Sequence, residues 1–180
     1  MAYSPQEQIG STLTEWNFSE GQTRLLEYLA PRFVNRSTLA TINARIPERA
    51  SGVLFAVGSI SGGFTVYMDE GVLRAEYNAM TMNRYKVSSE GPIPAGDVRI
   101  EVETRFEPNQ RGGPATITFR VNGNQVGQGR LESTVPGGFT ASETFDVGMD
   151  LGSPVALDYS DRAPFAFNGT IENINVRYLQ

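Results

Sequence analysis

The chain has 180 residues and a mass of 19.7 kDa, is 39% hydrophobic and 19% charged, and fits a single globular domain with a sizeable core. It contains no histidine and no cysteine. Disulfides, thiolate nucleophiles, Cys/His zinc sites, Ser-His-Asp triads and imidazole acid–base chemistry are thereby excluded. A net charge of −5 and a pI of about 4.8 leave no basic footprint for nucleic acid or an anionic membrane, and of the 15 basic residues only Lys86 is a lysine.

Residues 1–10 are polar and lack the basic-then-apolar layout of a secretory signal, and no apolar run approaches a membrane span. The expectation is a flexible segment over 1–11, a single domain over 12–180, and by default a cytoplasmic location. Along the chain the dominant signal is period two in short segments rich in β-branched and aromatic residues, separated by Gly, Pro and Asn clusters. Strands are predicted over 12–18, 38–46 and 52–57. A hairpin follows, in which Phe64, Val66 and Met68 alternate up to Asp69-Glu70-Gly71 and resume as Leu73, Ala75 and Tyr77. Residues 84–88 come next. Then Val98, Ile100, Val102, Thr104 and Phe106 share one face against Arg99, Glu101, Glu103, Arg105 and Glu107 on the other.

A second hairpin runs through Ile117, Phe119 and Val121 into Asn122-Gly123-Asn124 and returns by Val126, and further strands are predicted over 145–149 and 170–178. Only 23–29 shows helical spacing, in Leu25, Leu26 and Leu29, and Pro31 ends it at once. About ten strands at this spacing predict an all-β fold, an antiparallel two-sheet β-sandwich or jelly roll.

Three groups of residues could carry chemistry. On the 98–107 strand the carboxylates of Glu101, Glu103 and Glu107 project together, as β-sandwich glycosidases require, but each has an arginine neighbour on the same face, the pattern of a solvated strand. No catalytic residue is assigned. The acidic stretch holding Asp146, Asp150 and Asp158 around Gly152 offers hard oxygen ligands suited to calcium, against the alternative that these aspartates cap turn N–H groups. The central hairpin directs Thr65, Tyr67, Arg74, Glu76 and Asn78 away from the core. An aromatic ring among hydrogen-bonding groups is what a sugar platform needs, with Tyr67, Arg74, Glu76 and Asn78 as its ligand-binding residues, unless a loop or partner covers Tyr67.

A family resemblance rests on several segments in matching order: Asn35-Arg36-Ser37, Gly52-Val53-Leu54-Phe55-Ala56, Gly62-Gly63-Phe64 with Tyr67 and Gly71, Tyr77-Asn78, Thr134-Val135-Pro136, Glu143-Thr144-Phe145-Asp146-Val147-Gly148, Gly152-Ser153-Pro154-Val155 and Phe167-Asn168-Gly169-Thr170-Ile171-Glu172. Over nearly everything from Thr12 onward the chain resembles the C-terminal region of bacterial arylsulfatases, which follows the catalytic domain and looks like a concanavalin or laminin-G type sandwich. The activity does not carry over. The formylglycine motif Cys/Ser-x-Pro-x-Arg is missing, as are the Cys and His the sulfatase centre would need.

The resemblance therefore implies a non-catalytic accessory module acting by protein contact, on a sulfatase-like catalytic domain or as a homo-oligomer. Phe145, Val147, Phe165 and Phe167 would lie in its core, and Asp146, Asp150 and Asp158 would organise the turn at Gly152 to Pro154. The alternative is a lectin-like, carbohydrate-binding module, with or without calcium to assist it, that takes a glycan on the Tyr67 surface.

Overall fold

The computed structural model describes residues 13–140 and 143–180, so the segment expected to be flexible over 1–11 lies outside the described residues. Among the described residues twelve strands form two six-stranded antiparallel sheets. The first sheet has the order β1 (Glu15–Phe18), β12 (Thr170–Tyr178), β3 (Thr38–Ile46), β8 (Gly96–Phe106), β9 (Ala115–Val121), β10 (Asn124–Leu131). The second runs β2 (Leu25–Leu26), β11 (Thr144–Val147), β4 (Gly52–Ser59), β5 (Gly62–Asp69), β6 (Val72–Ala79), β7 (Asn83–Pro92). The predicted sandwich is observed, and the accessible surface of 8864 Å² sits close to the roughly 8,600 Å² expected of a compact chain of this mass. Among the described residues no helix is long and apolar enough to cross a membrane.

The period-two pattern explains the facing layers. Ala40, Ile42, Ala44 and Ile46 of β3, with Val98, Ile100 and Val102 of β8, point inward from the first sheet. Phe64, Val66 and Met68 of β5, with Leu73, Ala75 and Tyr77 of β6, meet them from the second. Two hairpins turn where the sequence supplies residues tolerant of positive φ: Glu70-Gly71 at 51° and 83°, and Asn122-Gly123 at 49° and 86°.

The two long sides of the sandwich differ. On one side β7 and β10, the edges of opposite sheets, lie directly against each other. This approach requires glycine: a Cβ on Gly127 would sit 2.5 Å from the Ser88 carbonyl oxygen, and one on Gly129 would sit 2.5 Å from a Val87 methyl. On the other side β1 and β2 stay apart, and the loop between them bridges the two sheets.

Outer faces differ as well. On the first sheet the outward residues are polar: Glu101 pairs with Arg99 at 3.0 Å, and Glu103 pairs with Arg105 at 2.7 Å and Arg120 at 3.4 Å. Glu107 pairs with Arg130 of β10 at 2.7 Å. The outer face of the second sheet is covered. Residues 148–166, between β11 and β12, cross it as a strap containing a 3-10 turn, Leu157–Arg162.

Candidate functional site

The strap explains why the central strands are buried on both faces. Beneath it Val53, Ala56 and Tyr67 of the sheet pack with Val155, Ala156, Tyr159 and Phe165 as a small core separate from the main one. The Tyr159 ring meets Phe165 in a stack at 5.2 Å and Tyr67 edge-on at 5.1 Å. Each end of the strap is clasped by main-chain bonds: Gly148 N–H donates to Leu54 O at 2.9 Å, and Val53 N–H to Phe165 O at 2.8 Å. Gly52 permits the crossing, since a Cβ there would lie 2.3 Å from the Phe167 Cα.

Several polar groups beneath the strap bond to it. Asp150 is buried and its Oδ2 accepts from Val155 N–H at 2.8 Å and Tyr159 O–H at 2.5 Å, while the Tyr159 hydroxyl also reaches Thr65 at 3.0 Å. Burial pushes the Asp150 carboxyl up to about 6, against the pull of those two donors. Burial first, and the Asp150 charge second, push Tyr159 far above the usual phenol range. Tyr67 donates to Asp158 at 2.8 Å, and Lys86 pairs with the same carboxylate. Burial opposes ionisation of Asp158, but the Lys86 and Tyr67 bonds outweigh it and hold the carboxyl below its ordinary range. At the strap's far end Arg162 forms a bidentate pair with Asp69, at 2.9 and 3.2 Å, and lies over the Phe165 ring at 4.3 Å.

The four residues read as a sugar platform are therefore roofed over. Tyr67, Glu76 and Asn78 are fully buried, and only Arg74 is partly exposed. Tyr67 presents no free ring face, because the strap comes from a distant part of the chain that a hairpin's own alternation cannot reveal. Glu76 Oε1 accepts from Arg84 at 2.6 Å, while its Oε2 and the Arg74 Nε have no hydrogen-bond partner. Desolvation raises the Glu76 carboxyl, with Arg84 and Lys86 pulling the other way. Asn78 holds two hairpin tips together: its Nδ2 donates to Ile60 O at 2.7 Å and its Oδ1 accepts from Thr81 N–H at 2.9 Å.

The three aspartates considered for calcium serve three different places. Asp146 accepts from Arg24 N–H at 2.6 Å, Thr144 Oγ1 at 3.1 Å and Leu151 N–H at 3.3 Å. Asp150 fastens the strap to itself, and Asp158 joins it to Tyr67 and Lys86. Among the described residues no group of three acidic side chains converges as a metal cage. As a set, then, the three do not form a shared site. Two of them organise the 150–155 turn, as the capping reading expects, and Asp158 does not. Phe145, Val147 and Phe167 lie in the main core, and Phe165 in the smaller one.

One exposed feature has no counterpart in the sequence reading. The β6–β7 hairpin turns through Met80 and Thr81, both in the left-handed region at φ 55° and 63°, where the β5–β6 and β9–β10 hairpins use Gly at the second position. Its tip exposes Met80 and Met82, the latter 79% exposed, with Met80 against the neighbouring tip that exposes Ile60 and with Val155 of the strap close by. Arg84 ties these together by donating to Ile60 O and Val155 O at 3.0 and 2.9 Å. The available signal was Met80-Thr81-Met82 standing between two predicted strands with no Gly or Asn.

This geometry matches solved structures. Over 92% of its length the chain is similar to the mouse laminin α1 chain, domains LG4-5, with a TM-score of 0.58 at 17% identity. The fold is that of a laminin G-like sandwich. The LG1-3 region of the laminin α2 chain is similar over 90% of this chain, with a TM-score of 0.54 at 15% identity. The laminin G-like sandwich spans 42% and 30% of those two chains. No family model and no curated protein matches the sequence.

Proposed function

We propose that this laminin G-like sandwich is a non-catalytic module that works by protein contact, an accessory domain of the kind that follows arylsulfatase catalytic domains. The observation that carries this reading is the apolar tip formed by Ile60, Met80 and Met82. A β-branched threonine in the left-handed region is costly where Asn-Gly would be free, and such strain concentrates where side chains are presented to something. Methionine is an adaptable contact residue, and this tip projects it from a rigid sheet end. Support also comes from the carboxylates. Those on the outer face of β8 are each paired with arginine, and Asp150 and Asp158 are committed to holding the strap.

The test is light scattering of the isolated chain, alone and with an arylsulfatase catalytic domain, alongside Met82→Asp. Complex formation or self-association that Met82→Asp abolishes without lowering the melting temperature is the expected result. A strict monomer that ignores the catalytic domain, together with a positive glycan array, would replace this reading with the lectin-like one. Running that array with and without chelator shows whether calcium assists.

A further inference from the structure

Lysine occurs once in this chain, at residue 86, and every other basic residue is arginine. It stands where an amine meets two carboxylates and a phenol. The β6–β7 register sets Lys86 directly opposite Glu76. From there, with its stem half-exposed, Lys86 pairs through Nζ with Asp158 Oδ1 on the strap's 3-10 turn, and the same nitrogen stands 3.8 Å from Glu76 Oε2. The other oxygen of Asp158 accepts from the Tyr67 hydroxyl at 2.8 Å.

The Glu76 side chain is fully buried, and while Arg84 holds its Oε1, its Oε2 has no hydrogen-bond partner. A buried carboxylate oxygen left unpaired is costly, and here the lysine nitrogen is its neighbour. An arginine fork is the better partner for carboxylates, so ion pairing alone gives no reason for the one lysine to stand here. What lysine has and arginine lacks is an amine that can lose its proton and attack as a nucleophile.

We propose that Lys86 and Asp158 condense into an intramolecular amide that locks the strap to β7, with Glu76 as proton shuttle and Tyr67 as oxyanion donor. Passing a proton from Nζ to Asp158 Oδ1 leaves a neutral amine facing a neutral acid, the form that reacts. Nζ then bonds to Cγ, the carbonyl electron pair moves onto Oδ2, and the Tyr67 hydroxyl holds that charge. Glu76 Oε2 takes one proton from the nitrogen and delivers it to Oδ1, which leaves as water while the Oδ2 pair re-forms the carbonyl. Glu76 ends as it began, and no oxidant or cofactor enters. The bond closes a loop from residue 86 to residue 158 in a chain that has no cysteine to close one by disulfide. The contact role of the Met80–Met82 tip neither requires this bond nor falls with it.

The test is the intact mass of the purified full chain. It should lie about 18 Da, one water, below the mass of the sequence, while Lys86→Arg melts cooperatively and keeps its full mass. Trypsin should leave the chain uncut after Lys86 and release a branched peptide joining residues 85–99 to residues 131–162. Glu76→Gln, which keeps the side chain's shape, should slow the appearance of that lighter mass about tenfold or more. Full mass in the parent chain, or a water loss that the peptides place elsewhere, would overturn the proposal. Bond formation in Glu76→Gln at the parent's rate would overturn the part given to Glu76.

Discussion

Replacing Asp150 with asparagine should make stability rise with pH relative to the parent. The Asp150 carboxyl stands at about 6 in the folded chain against an ordinary 3.8, and each unit of difference is worth 1.36 kcal/mol, so ionising it in place costs about 3 kcal/mol. Below pH 3 the group is neutral in both folded and unfolded chains and there is no penalty. Between pH 4 and 6 the unfolded chain releases a proton that the folded chain keeps, and stability falls. Above pH 6 the full cost is present. Asparagine is neutral throughout, and its oxygen can accept the same bonds from Val155 N–H and Tyr159 O–H.

Any fixed cost of placing the amide is equal at all pH values, and the titration of Glu76 cancels when the two proteins are compared at one pH. The difference in unfolding free energy, Asp150→Asn minus parent, should therefore grow by about 3 kcal/mol from pH 3 to pH 7, as read from urea unfolding at matched m-values. A difference constant to within about 0.5 kcal/mol would show that Asp150 is not desolvated by the strap and that the strap does not seal the sheet.

Three further outcomes follow from the same contacts. Tyr159→Phe removes the hydroxyl shared by Thr65 and Asp150 and should cost about 1–3 kcal/mol at pH 7, measured by urea unfolding; no loss would remove the hydroxyl from the strap's support. Gly127→Val should cost about 1–3 kcal/mol or more, because its Cβ meets the Ser88 carbonyl oxygen, whereas Gln128→Val on the outer face should leave the urea midpoint nearly unchanged. Because Asp146, Asp150 and Asp158 serve separate places, about 1 mM calcium against chelator should shift the melting temperature by under about 1 °C; a rise of several degrees would reveal a site built otherwise.

Period two placed most strands, and β3 and β12 lie on their predicted residues: β12 has one wet face and one dry face, whereas β3 is buried on nearly all sides and is marked by its β-branched and apolar residues. The same rule misassigns the outward side of β5 and β6. Thr65, Tyr67, Glu76 and Asn78 alternate with core residues and look solvated, yet the cover comes from 148–166, whose own sequence is too irregular to announce a strap. Carboxylates in that stretch suggested a metal because sequence gives neighbours along the chain, and the partners that occupy them, Tyr67, Lys86 and Thr144, come largely from elsewhere. The spacing of Gly127 and Gly129 was visible, but its meaning needed the facing strand β7.

The pressing of β7 onto β10 settles a hazard that twelve strands would otherwise create. A sheet edge with free N–H and C=O groups is a template on which another chain can add a strand. Of the four edges here, the two long ones shield each other through Gly127 and Gly129, and the other two are the four residues of β1 and the two of β2. Strands as continuously apolar as β4 and β5 are thereby kept central, and the molecule offers little edge for fibril growth or domain exchange. Gly127→Val would prise that seam apart, so its first symptom in concentrated solution should be aggregation rather than simple unfolding.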